Sequence, residues 1–243
     1  MISRRFSLDD PPFVGLTGSG VRVAVIDSGV HPANPHIGGR PLSGVRIGPE
    51  GEIDDDVADR IGHGTAVAAA ILEKAPGIEL VAVRVFDRTL TTTGEVLARA
   101  ITWAAEHGAR VINLSLGTSN PTRAARLGVA VGDAVAAGAI VVSARELDGV
   151  PWLPGSLPNV AGVTLDASCD RNDIVVTVDP VTSTLGLAAS GYPRPIPGVP
   201  VERNLSGISF AVANVTGFLA RLLERDQSLH TVIDLARTLR ADT

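Results

Sequence analysis

The chain has 243 residues, 45% of them hydrophobic, which is enough for one large α/β core. Its formal net charge is −5 with Lys and Arg scattered, and aromatics make up 3%, so a basic footprint for nucleic acid, a polybasic membrane patch and a base-stacking surface are excluded. Cys169 is the only cysteine, no run reaches the roughly 18 apolar residues that span a bilayer, and the start MISRRFSLDDPPFVG has no apolar signal core; a cytoplasmic protein without disulfides is expected.

Strand and helix patterns alternate along the chain. Val21 to Ile26 (VRVAVI) is a β-branched run, as in a strand buried on both faces. Gly64 to Lys74 is Ala-rich and helical, closing near Pro76-Gly77. Leu80 to Phe86 (LVAVRVF) reads as a second strand. Thr92 and Glu95 have the spacing of a capping box, followed by apolar residues at helical intervals up to Gly108. Val111 to Leu116 (VINLSL) is the next strand. Pro121 opens a helix that Gly138 closes, and Ala139 to Val142 is a strand. Residues 150–200 are rich in Pro and Gly, with strand candidates at 159–165 and 173–178. A long helix starts around Ser209, and Ser228 is a candidate cap for a short terminal one. The alternation predicts a three-layer α/β/α fold with a mainly parallel central sheet. No repeat or linker interrupts it, so one domain over residues 1–243 is expected.

Three segments carry chemistry. VAVIDSGV places Asp27 at the C-terminal end of a buried strand, the edge where ligands gather in parallel sheets; D-S-G is equally a common turn. GHGTAVAAAI places His63 between two glycines at a helix start, where the helix dipole favours a neutral imidazole able to act as a base; a capping loop that contains a His is the structural alternative. LSGISFAVANVTGFLA places Ser209 at the start of an apolar helix. There it is either a helix cap or a nucleophile whose own N–H faces an oxyanion.

Together VAVIDSGV, GHGTAVAAAI, VINLSLG and SGISFAVANVTG resemble the signature blocks of the subtilisin-like serine protease (subtilase) family, in the family's order Asp, His, Ser. The resemblance spans residues 14–224. It implies a Ser-His-Asp triad of Ser209, His63 and Asp27 acting on a peptide or protein substrate, with no nucleic-acid or membrane partner. It also implies substrate rims at Ser115, Leu116 and Gly117 and, opposite, Thr91 to Gly94 with Thr92 and Thr93. Trp152 either narrows the adjoining pocket or belongs to the core. No cofactor is expected. Calcium is common in the family, but Asp54-Asp55-Asp56 lacks the D-x-D-x-D-G spacing and reads as a solvated loop. His31, His36, His107 and His230 lack ligand spacing.

One departure bears on activity. The Asn side chain that the family places in the oxyanion hole aligns with Leu147, between Glu146 and Asp148. Leu donates no hydrogen bond. Loss of such a donor costs about 10²–10³ in turnover, a magnitude established within this same family. The Ser209 N–H remains, and Asn204, Asn159 and Arg145 are candidate substitute donors. Three functions follow: narrow processing of a peptide precursor, a pseudo-protease that only binds, or acyl transfer and cyclisation by the same triad. After Ser209, Phe210 replaces the usual Met, and Ala213-Asn214 replaces the usual Pro-His.

Overall fold

Short runs of Val, Ile and Ala form the centre of a ten-stranded sheet in the computed structural model, which describes residues 2–241. In chain order the strands are β1 (Ile2–Ser7), β2 (Arg22–Asp27), β3 (Ser43–Ile47), β4 (Ile53–Asp54), β5 (Glu79–Arg84), β6 (Val111–Leu114), β7 (Ile140–Ala144), β8 (Glu146–Leu147), β9 (Val150–Pro151), β10 (Val160–Leu165), β11 (Asp173–Val178) and β12 (Leu185–Ala189). The helices are α1 (His63–Lys74), α2 (Gly94–Glu106), α3 (Ala124–Ala136), α4 (Ile208–Arg225) and α5 (Val232–Ala241).

The sheet order is β1-β11-β12-β10-β7-β6-β2-β5-β3-β4. Strands β12 to β3 in that order run parallel, and β1, β11 and β4 add antiparallel edges. Alternate residues of each central strand point to opposite faces. Ile140, Val142 and Ala144 of β7 join the core beneath α1, α4 and α5, whereas Val141 joins the core beneath α2 and α3. Both faces are therefore covered, which is why these strands are apolar throughout. Helix α4 is the most enclosed: every residue from Phe210 to Ala220 is buried.

Ile26, Leu114, Ser143 and Gly162 pair across β2, β6, β7 and β10 in one row. Asp27 stands just past that row, at the C-terminal edge of the sheet.

Several sequence expectations are corrected. The capping box at Thr92 does not form: Thr93 is the cap of α2, accepting from the Val96 N–H, while Glu95 turns outward to Arg99 and Arg126. Pro121 opens a short 3₁₀ turn before α3 rather than α3 itself. Thr231, not Ser228, accepts from the Asp234 N–H at the start of α5. Strands β1, β3 and β12 went unread because they lie towards the sheet edges, in sequences that are polar (ISRRFS) or Gly- and Ala-rich (LGLAA).

Candidate active site

Asp27 ends β2 with its side chain 1% exposed. Its carboxylate accepts from the Ser28 N–H at 2.7 Å and contacts His63 Nδ1 at 2.8 and 3.0 Å. His63 is the first residue of α1, and the turn before it is held by Asp59. That carboxylate accepts from the N–H groups of Ile61, Gly62 and Thr65 and from the hydroxyls of Ser28 and Thr65, at 2.5–2.9 Å. The Ser28 hydroxyl also accepts from the Gly64 N–H at 2.9 Å. A Cβ at Gly64 would lie 2.2 Å from the Gly29 carbonyl oxygen, so only glycine lets the His63 loop close onto the end of β2.

Burial pulls the His63 imidazolium down, but the Asp27 hydrogen bond and the charges of Asp27 and Asp59 outweigh it, and the pKa ends above the ordinary value of 6.5. The net shift is opposite to the depression expected from the helix start, because the Asp27 hydrogen bond and two carboxylate charges outweigh burial.

Ser209 lies in the first turn of α4; the next residue, Phe210, has its ring 5.8 Å from that of His63. The Ser209 N–H is one of the donors that a helix start leaves unpaired. Its hydroxyl donates to the Ser115 carbonyl at 3.0 Å rather than to His63. In return the Ser115 hydroxyl donates to the Ser209 carbonyl at 3.2 Å. Behind this pair, Asn113 Nδ2 donates to Ser115 Oγ, and the Thr216 hydroxyl donates to Asn113 Oδ1, both at 2.9 Å and fully buried.

Residues 18–145 match the sequence profile described as the subtilase family. That is more than half of the chain. Thermitase of Thermoactinomyces vulgaris is 31% identical over 88% of this chain and 79% of its own length. Subtilisin Savinase of Lederbergia lenta is 32% identical over 90% and 81%. The chain is a subtilase. It spans 58% of another relative, the M-protease of Shouchella clausii, at 32% identity. A cold-adapted subtilisin-like serine proteinase shares the fold, with a TM-score of 0.71 at 24% identity over 96% of this chain and 85% of its own. The structure of prenylagaramide maturation protease PagA gives 0.66 at 26% identity over 91% and 82%.

In this subtilase the residues expected to form the substrate rims lie in two places. Ser115, Leu116 and Gly117 follow β6, and Thr118 pairs antiparallel with Leu153, next to Trp152. A Cβ at Gly117 would lie 2.4 Å from Trp152 Cδ1, so the indole covers Gly117 while half-buried against the core. The core alternative for Trp152 is met by this packing. Thr92 and Thr93 line a hollow with Arg46 and Arg84, and the Arg123 side chain covers Gly94.

The three candidate substitute oxyanion donors stand in three different places. Asn159 precedes β10 and stands level with Val23, four residues or about 13 Å down the strands from Asp27. Arg145 lines a hollow with Gly162, Thr164, Gly186 and Ala188, on the sheet face away from α4. Asn204 donates to the Arg194 carbonyl and accepts from the Leu205 N–H. Leu147 is 40% exposed in the β8–β9 hairpin, whose turn takes positive φ at Asp148 and Gly149.

No group of three or more His, Cys, Asp or Glu among the described residues suits a metal ion. The carboxylates of Asp54 and Asp56 are engaged by Arg46, Arg60 and Arg84, so the acidic segment does not fit calcium. No helix among the described residues is long and apolar enough to cross a membrane. Asp59, Asn113 and Thr216 were not read from the sequence. Asn113 and Thr216 are joined by a contact across the fold, whereas Asp59 acts mainly within its own turn, where D-x-x-x-H was the local hint.

Proposed function

We infer that this subtilase is a serine endopeptidase that processes a narrow set of peptide precursors within one catalytic domain. The observation that supports it is the buried Asp27 carboxylate against His63 Nδ1, with Phe210, the residue after Ser209, 5.8 Å from the His63 ring. Rotation about the Ser209 Cα–Cβ bond takes the hydroxyl from the Ser115 carbonyl to the free face of the imidazole. Ser209 Oγ then attacks the substrate carbonyl and His63 takes its proton, later giving it to the leaving amine. Asp27 holds the imidazole and stabilises its charged form. The Ser209 N–H and the positive end of α4 face the developing oxyanion. Without a side-chain donor at Leu147, turnover is slow, which suits a processing enzyme rather than a degradative one. The likeness to a maturation protease supports this substrate class.

Covalent labelling with a fluorophosphonate tests the reading. Label on Ser209 that is lost in Ser209→Ala is the expected result; an unlabelled, folded chain leaves the binding-only role, which the exposed Leu147 favours. Mass spectrometry of peptide products separates hydrolysis, which adds water, from acyl transfer or cyclisation, which does not.

A further inference from the structure

One large hollow lies apart from residues 115–118. It is a cavity of about 830 Å³ between α1, the segment after β2 and the Pro-rich segment 193–205 that leads into α4. Gly62, Thr65 and Ala66, on both sides of His63, line it; none of residues 115–118 or 152–153 does. Its far wall is apolar: Pro193, Ile196, Pro197 and Leu205. Ile196 and Leu205 are 46% and 52% exposed, large apolar side chains left in water next to a candidate catalytic histidine.

One charge on this wall is unspent. The Arg194 guanidinium donates to the His36 carbonyl at 3.3 Å and forms no ion pair among the described residues. The nearby acids are occupied: Asp59 by its five donors, Glu73 by Lys74 and Arg171. Burial and the Arg194 charge push His36 below the usual histidine range, which leaves it neutral.

The general acid must reach the departing amine, so the leaving segment of a substrate lies on the His63 side and the acyl segment on the Ser115 side. The geometry points to this cavity as the subsite for the leaving segment, taking a bulky apolar side chain together with a carboxylate that meets Arg194. The assignment rests on the hydrolase reading. The carboxylate is either an acidic side chain or the free C-terminus of the peptide; both offer a bidentate partner to a guanidinium.

Binding without turnover tests it. The full chain carrying Ser209→Ala, or the phosphonylated unmodified chain, is titrated by fluorescence anisotropy with labelled hexapeptides that share one acyl half. The leaving halves are Ala-Leu-Glu-amide, Ala-Leu-Gln-amide, Ala-Leu-Gln with a free C-terminus, and Ala-Gly-Glu-amide. The expected result is at least tenfold tighter binding of a carboxylate-bearing Leu peptide than of the neutral amide, and about tenfold loss on replacing Leu by Gly. Whichever carboxylate confers the gain identifies its source. Arg194→Gln brings acid and neutral peptides within twofold of each other, and Ile196→Asp, at an exposed position, weakens the acidic peptides. Equal affinity for all four peptides, or an acid preference that survives Arg194→Gln, overturns the assignment. Fluorophosphonate labelling reports separately on the hydrolase reading, so a labelled chain with no leaving-half preference refutes only the cavity.

Discussion

Ser209 and Ser115 are joined twice: each hydroxyl donates to the other's main-chain carbonyl, at 3.0 and 3.2 Å. The first bond turns the proposed nucleophile away from His63. The second ties the start of α4 to the end of β6 and is backed by the buried chain through Asn113 to Thr216.

That chain is expected to position Ser209. Thr216→Val leaves the buried Asn113 Oδ1 without a donor, at a cost of about 1–3 kcal/mol, seen as a drop of several degrees in Tm. It should also slow fluorophosphonate labelling by roughly tenfold, about 1.4 kcal/mol, with Thr216→Ser restoring both. Unchanged labelling in a destabilised Thr216→Val chain would show that the network is structural only.

The acid limb of the pH–rate profile should lie above 6.5, because a protonated His63 cannot accept the Ser209 proton and its pKa is raised. Asp59→Asn removes a charge that raises it, so the limb of kcat/KM moves to lower pH. For stability the sign is opposite to that of activity. A raised histidine pKa stabilises the fold below pH 6.5, and this increment disappears as pH rises through the folded value. Chemical denaturation of the parent and His63→Ala chains, compared from pH 5 to 9, checks it.

Lys74 is fully buried, with its ammonium donating to Glu73 and Asn172. Burial first, then the Arg171 charge, lowers its pKa to about 8. The unfolded chain therefore holds a proton between about pH 8 and 10.5 that the fold does not, and stability gains up to about 3 kcal/mol as pH rises across that window. Lys74→Met should flatten this rise. An equal slope in both chains would refute the assignment.

The Trp152 indole lies over Gly117; on the proposed hydrolase reading it narrows the acyl-side groove and favours acyl residues with small side chains. Trp152→Ala should raise kcat/KM for peptides with a bulky acyl-side residue by about tenfold or more relative to those with Ala there, with some loss of Tm from the core contact. Parallel losses for all peptides would mean that the indole acts only as packing.

The sequence by itself determined the layers, and its resemblance to the subtilases singled out Asp27, His63 and Ser209 as the candidate triad. The reason is that short-range chemistry writes the layers, since fully apolar runs mark strands covered on two faces, and the three residues sit in short contiguous blocks that can be matched as sequence. Only the tertiary structure decided which way the side chains face. Arg145 and Asn159 were candidates by sequence, but strand parity sends the first to the wrong face and sheet register leaves the second about 13 Å too low. Asn113 and Thr216 meet because the fold brings segments 103 residues apart together, whereas Asp59 acts mainly on its own turn and reaches across only to Ser28. The rotamer of Ser209 and the cavity beside Arg194 likewise depend on contacts between segments far apart in the chain, which no local pattern encodes.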